Sequence, residues 1–168
     1  MKLKKSFLFV ILLLSSCTVI KKDYGNYSDI DALKKVVPKV ESYSKYGNPK
    51  TYKVFGVQYK TLDTHIGYSE EGIASWYGKK FHGRLTSTRE KYDMYKLTAA
   101  HKTLPIPCYA RVTNLKNKKS IIVRINDRGP FKKGRIIDLS YAAAVKLGIE
   151  KSGTQKVFVE AINASQFK

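Results

Sequence analysis

Beyond residue 50 the chain is cut into short apolar stretches, each closed by glycine, proline, asparagine or a lysine-rich turn, and few are long enough for a packed helix. Tyr52, Val54, Val57 and Tyr59 lie among lysines around Gly56 and predict a short strand or hairpin. Residues 72–78, bounded by glycines, and residues 109–114, 120–125 and 157–162 predict four more strands, with the lysine-rich stretch 115–119 turning the chain between the second and third of these four. One segment is firmly helical in pattern: Ser140 can cap residues 141–147, and Gly148 supplies a left-handed stop. Residues 97–101 are expected to form a second short helix, stopped before Pro105. Many short strands with little helix point to a mainly β domain, a small barrel or sandwich. The 168 residues suit one such domain plus appendages, with enough chain to bury a core without disulfides.

The N-terminal residues do not belong to that domain. Lys2, Lys4 and Lys5 form a charged start, residues 7–14 are an unbroken apolar run, and Leu14, Ser15 and Ser16 lead to Cys17. The run is too short to span a bilayer as a mature helix and has the layout of a secretory signal. A cysteine directly after Leu-Ser-Ser resembles the bacterial lipobox, in which the thiol receives diacylglycerol before cleavage and the new amine is then acylated; the alternative is an ordinary signal with an incidental cysteine. The expected organisation is a lipoprotein signal peptide over 1–16, a flexible tether over 17–50 lipidated at Cys17, a β domain over 51–163 and a tail over 164–168. Acyl chains contribute about 0.8 kcal/mol per buried methylene, so several of them anchor a protein to a lipid bilayer durably. Thr18 rather than Asp follows the cysteine, which favours an outer-membrane anchor facing the periplasm in the cell envelope. With Cys17 acylated, Cys108 has no partner, and its apolar surroundings predict a buried, inert thiol. The formal charge of +19 stays strongly positive without the leader's lysines. Export excludes nucleic acid as its partner and leaves anionic cell wall or lipid headgroups, or a compositional bias without function.

The densest chemistry lies at 123–131 and at 135–140. Val123, Arg124 and Ile125 alternate like a half-buried strand, and 126–130 form a turn, so Asp127 is expected at a strand end. Flanked by Arg124, Arg128 and Arg135, its carboxylate would be held ionised by pairing with them, or left free to work where they bind something else. It could equally close an Asx-turn on backbone amides. Glu90, Asp93, His101 and Asp138 are the other polar candidates near element boundaries. His65, His82 and His101 lack metal-ligand spacing, so no metal and no cofactor are expected.

A set of ordered runs gives these candidates a context: GIASWYG (72–78), FHG (81–83), TSTRE (86–90), LTAAH (97–101), TLP (103–105), VTNL (112–115), NDRGPF (126–131) and RIIDLS (135–140). Together, across roughly residues 52–162, they resemble the rare lipoprotein A family. The resemblance implies a six-stranded double-psi β-barrel with one or two short helices, and an endolytic lytic transglycosylase acting on peptidoglycan glycan strands denuded of stem peptides, in cell wall organisation or division. It places the family's acidic and histidine positions on Glu90, His101 and Asp127. Asp127 is then the expected general acid/base, with Glu90 orienting substrate or stabilising the transition state. His101 would bond either acid or the substrate, or simply close the short helix as a packed histidine. Arg128, Asn126, Asp138, Trp76 and Tyr77 are expected to bind substrate, although Asp138 could instead cap the helix or pair with Arg128 or Arg135, and one of the two aromatics is expected in the core. A monomer is expected. In one respect the chain departs from the family: Arg89 stands where a glycine usually precedes the acid, and if that glycine serves a positive φ, Arg89 must strain or reshape the loop. The rival reading is an expansin-like lipoprotein that grips peptidoglycan without cutting it.

Overall fold

Alternation along 120–127 becomes a strand with Val123 and Ile125 fully buried and Arg124 turned outward. The computed structural model of the protein describes residues 30, 33 and 35–166; the predicted leader, Cys17 and the first part of the predicted tether lie outside them. Eight strands follow in order: β1 Thr51–Val54, β2 Val57–Lys60, β3 Ser69–Tyr77, β4 Thr98–His101, β5 Cys108–Asn114, β6 Ser120–Asp127, β7 Arg135–Ser140 and β8 Gln155–Ile162, with helix α1 at Tyr141–Leu147 between the last two. β1 and β2 form a separate antiparallel hairpin. The other six close into a barrel in the order β3-β7-β4-β6-β5-β8. Two of its pairings, β3–β7 and β4–β6, are parallel, and the rest are antiparallel.

The helix forms as its caps dictate. Ser140 accepts a hydrogen bond from the Ala143 amide, and Gly148 at φ 69° returns its own amide to the carbonyls of Ala144 and Val145. Tyr141, three alanines and Leu147 bury one side of the helix against the barrel. Residues 97–101 do not form the expected second helix. Thr98–His101 are strand β4, because β6 and β7 flank that segment and satisfy its backbone on both edges, which outweighs the helical preference of two alanines. Residues 135–140 supply β7, a strand not anticipated from their pattern.

Both parallel pairs carry a register shift, and the one in β4–β6 sets the chemistry. Ala99 pairs with Ile125, but Ala100 pairs with Asp127, leaving Asn126 as the extra residue. Strict alternation from Ile125 would aim Asp127 into the core; the bulge moves it to the outer face beside Ala100. Asp138 on β7 is the partner of Ala100 on its other side and of Ser75 on β3. Tyr77 lies two residues along β3 on that same face, whereas Trp76 points inward and meets Tyr141 at 5.6 Å between ring centroids.

The segment 41–48 lies across the barrel. Ser44 N donates to Ile106 O at 2.9 Å, Asn48 exchanges hydrogen bonds with Ile106 through both its amide atoms, and Tyr43 Oη bonds His65 Nδ1 at 2.8 Å. Leu33 and Val36 pack on the core.

Candidate active site

The outer faces of β3, β7, β4 and β6 form the floor of a cleft of about 480 Å³ whose lining includes Tyr77, Ala100, Asp127, Asp138, Phe81 and Phe131. Asp127 is fixed through one oxygen. Its Oδ1 accepts hydrogen bonds from Ser87 N at 2.8 Å, Ser87 Oγ at 2.7 Å and Arg128 N at 2.8 Å. Converging donors of this kind hold the carboxyl plane, while no protein donor reaches Oδ2 among the described residues. Asp127 thus accepts backbone amides and also lines the cleft.

None of the three flanking arginines pairs with Asp127. Arg124 points to the opposite side of β6, between Glu41 and Glu90. Arg128 spends its guanidinium on backbone carbonyls, with Nε on Gly47 O at 2.7 Å and Nη1 on His101 O at 3.1 Å and Leu104 O at 2.5 Å, while Nη2 meets Asn48 Oδ1 at 2.9 Å. It locks the turn, β4 and the 41–48 segment together. Arg135 donates to Ser75 Oγ at 2.6 Å and pairs with Asp138 Oδ2 at 3.3 Å. Asp138 thus takes the arginine pairing foreseen as one option and does not cap α1. Its other oxygen is buried with no hydrogen-bond partner among the described residues. Burial raises its pKa from the ordinary aspartate value, against the opposing pull of Arg135.

Glu90 is not beside Asp127 in the cleft. It receives a forked pair of hydrogen bonds from Arg124 Nη1 at 3.0 and 2.9 Å and one from Asn126 Nδ2 at 2.8 Å, so its carboxylate braces the bulged residue next to the acid. His101 is buried at the end of β4, where Nδ1 accepts from the amides of Thr103 at 3.2 Å and Leu104 at 3.0 Å. That leaves Nε2 to carry the proton toward Tyr68 Oη at 2.8 Å, and Tyr68 in turn donates to Glu70 Oε2 at 2.5 Å. Burial, with Arg128 and Lys102 nearby, lowers the imidazole pKa to about 3. The histidine meets neither Glu90 nor Asp127. Cys108 is buried as predicted, and burial pushes its thiol up to about 12.

Arg89 adopts φ 69°. The loop is a hydrogen-bonded turn, with Arg89 N on Thr86 O at 2.9 Å and Thr86 N on Glu90 O at 2.8 Å, and Arg89 holds a left-handed backbone that a side chain disfavours. Its guanidinium lies 5.2 Å from the Tyr46 ring centroid. Of the site residues missed in the sequence, Ser87 had one signal, its place inside the TSTRE run; Phe81 and Phe131 sit within quoted runs but became cleft walls only through the fold.

A closed six-stranded barrel with two bulged parallel pairs and a carboxylate-bearing cleft on its outer face defines a double-psi β-barrel. The chain belongs to the family described as lytic transglycolase, whose profile matches residues 69–159. It is 47% identical over 168 residues to the endolytic peptidoglycan transglycosylase RlpA of Vibrio cholerae, covering 95% of this chain and 64% of that protein. The Pseudomonas aeruginosa protein of the same name is 51% identical over 139 residues, 83% of this chain and 40% of its own length. The Rickettsia felis protein of that name is 43% identical over 156 residues, with 90% and 68% covered. This chain therefore spans less than two thirds of the first two of these relatives. Among solved structures, Streptomyces papain inhibitor shares the fold, with a TM-score of 0.50 and 22% identity over 60% of this chain and all of that one.

Proposed function

We propose that the protein is an endolytic peptidoglycan lytic transglycosylase that cuts the bond between N-acetylmuramic acid and N-acetylglucosamine and leaves 1,6-anhydro ends. The observation that carries this reading is Asp127, clamped through Oδ1 by Ser87 and its own turn, unpaired with any arginine, and open through Oδ2 to an aromatic-walled cleft. The names of the relatives support the substrate class.

One carboxyl group is enough for the reaction. Asp127 gives its proton to the glycosidic oxygen as the bond from C1 breaks, which releases the N-acetylglucosamine side as an alcohol. The 6-hydroxyl of the same muramic residue then closes on C1, and its proton returns to Asp127. No water is consumed, which sets this step apart from the two-carboxylate hydrolases. Asp138, held beside Arg135 on the floor of the cleft, hydrogen-bonds the bound sugar. Tyr77 stacks on it. Glu90 acts by holding Asn126, and Arg128 and His101 act by fixing the backbone that carries Asp127; these three are positioning residues.

Cys17 carries the lipid that holds the protein at the outer membrane facing the periplasm, and the chain works there on denuded strands as a monomer. The test is to incubate the protein with sacculi, intact and amidase-treated, and to analyse released fragments by mass spectrometry. New internal cuts bearing anhydro ends support the proposal. A folded protein that releases none from either substrate overturns it.

A further inference from the structure

The β1–β2 hairpin lies outside both the barrel sheet and the family-matched stretch 69–159, yet its tip reaches the cleft. Phe55 lines the same cleft as Asp127, Tyr77, Phe81 and Phe131. At 89% exposure it is the most exposed large apolar side chain among the described residues. Its backbone is unfavourable as well: Phe55 has φ 48° and the following Gly56 has φ 81°. Two central residues at positive φ mark a type I′ hairpin, in which asparagine, aspartate or glycine fits the first position and a bulky aromatic does not. Folding alone thus gives two reasons to replace Phe55 and none to keep it. Strain of this sort, held at the rim of a cleft, is a pointer to function.

The hairpin behind the tip is firmly seated. Tyr52 and Tyr59 stack at 5.3 Å, and each also meets Phe131, at 6.2 and 5.6 Å. Tyr52 Oη donates to Lys102 O at 2.6 Å, and Leu62 N donates to Thr103 O at 2.8 Å just after the hairpin. The exposed ring is therefore presented from a fixed base that is shared with the wall of the cleft.

We propose that Phe55 is a stacking platform for a pyranose ring of a bound glycan strand, and that the β1–β2 hairpin extends the site beyond the sugars that straddle Asp127. The occupant follows from continuity: the ring lies on the cleft that holds the acid, and the C–H face of a sugar is the complement an exposed aromatic face offers to such a strand. Its place at the rim makes its contribution depend on strand length. Long strands reach it, and short fragments centred on Asp127 do not. This inference rests on the glycan-cleaving reading of the cleft.

The test compares Phe55→Asn and Phe55→Ala with the parent, using the full chain. Binding to amidase-treated sacculi is measured in an Asp127→Asn background, where no cleavage intervenes. Thermal unfolding and the release of anhydro ends are measured with Asp127 intact. Phe55→Asn is expected to unfold at a higher temperature than the parent, because asparagine fits the turn, and yet to bind sacculi about tenfold more weakly, the loss expected of one stacked ring. KM for long strands rises and kcat stays unchanged. Phe55→Ala shows the same loss of binding without the gain in stability. Equal binding by the parent and both variants overturns the proposal, as does a loss confined to vesicles of phosphatidylethanolamine and phosphatidylglycerol, which would make the ring a membrane contact. If the parent produces no anhydro ends but Phe55→Asn still loses sacculus binding, the catalytic reading fails and the platform stands. If the parent cleaves and the variants bind as it does, only the platform fails.

Discussion

Asp127 and Asp138 stand on either side of Ala100, each as its cross-strand partner, one on β6 and the other on β7. Neighbouring strands lie about 4.8 Å apart, so the two carboxylate-bearing backbones are roughly 10 Å apart across a single methyl group. The small side chain leaves the floor of the cleft open between them. Their surroundings differ: three donors converge on Asp127, whereas Asp138 is buried beside Arg135 with one oxygen that meets no hydrogen-bond partner among the described residues.

Asp138→Asn tests that contrast through pH. A carboxyl whose folded pKa is raised binds its proton more tightly in the native state, so its contribution to stability falls as pH rises from about 4 upward, through the raised value. Removing the titration should make the variant gain stability relative to the parent over that rise, whatever the offset between them. Chemical unfolding at stepped pH measures the difference. A gap that stays constant with pH would show that Asp138 is not held up by burial.

Ser87→Ala removes the hydroxyl that donates to Asp127 Oδ1 and accepts from Arg128 N. A hydrogen bond to a charged group is worth about 1.5–3 kcal/mol, and the backbone donors of Ser87 and Arg128 remain. The expected outcome is a kcat about tenfold lower or worse with the unfolding midpoint little changed, as the acid loses its orientation. Unchanged kcat would remove Ser87 from the machinery.

Arg89→Gly examines the departure from the family pattern. Relief of the left-handed backbone is worth about 1–2 kcal/mol, but glycine loosens the unfolded chain and the contact with Tyr46 is lost, so the net change should lie within about 1 kcal/mol. Activity should stay within about twofold of the parent, because Glu90 is already held by Arg124 and Asn126. A large rise in rate would mean that Arg89 distorts the site.

His101 supplies stability that acid should remove. Its pKa falls from an ordinary value near 6.5 to about 3 in the fold, so the unfolded chain binds the extra proton first. The contribution is complete above pH 6.5 and is lost as pH falls toward 3. His101→Asn keeps an acceptor for the Thr103 and Leu104 amides but cannot titrate, and its denaturation curves should lack this acid-sensitive component. An equally steep acid loss in the variant would contradict the neutral, buried imidazole.

Much of the barrel was legible because its strands alternate and end in strong turn signals, and α1 because Ser140 and Gly148 mark both ends. Residues 97–101 misled because alanines favour a helix in isolation, while two flanking strands decide the matter in the fold. The candidate residues were legible as a set but their grouping was not. A one-residue bulge at Asn126 sends Asp127 outward, and Arg124, on the other side of the strand, takes Glu90 with it. Nor does local pattern reveal that Arg128 would be consumed by backbone carbonyls, since those carbonyls come from segments 24 to 81 positions away.

The most direct measurement is the mass of the new ends formed on amidase-treated glycan in 18O-labelled water. The parent should yield 1,6-anhydro-muramic ends without the label, and Asp127→Asn should bind the same strands and yield none. Labelled reducing ends, or anhydro ends undiminished in Asp127→Asn, would contradict the water-free mechanism centred on Asp127.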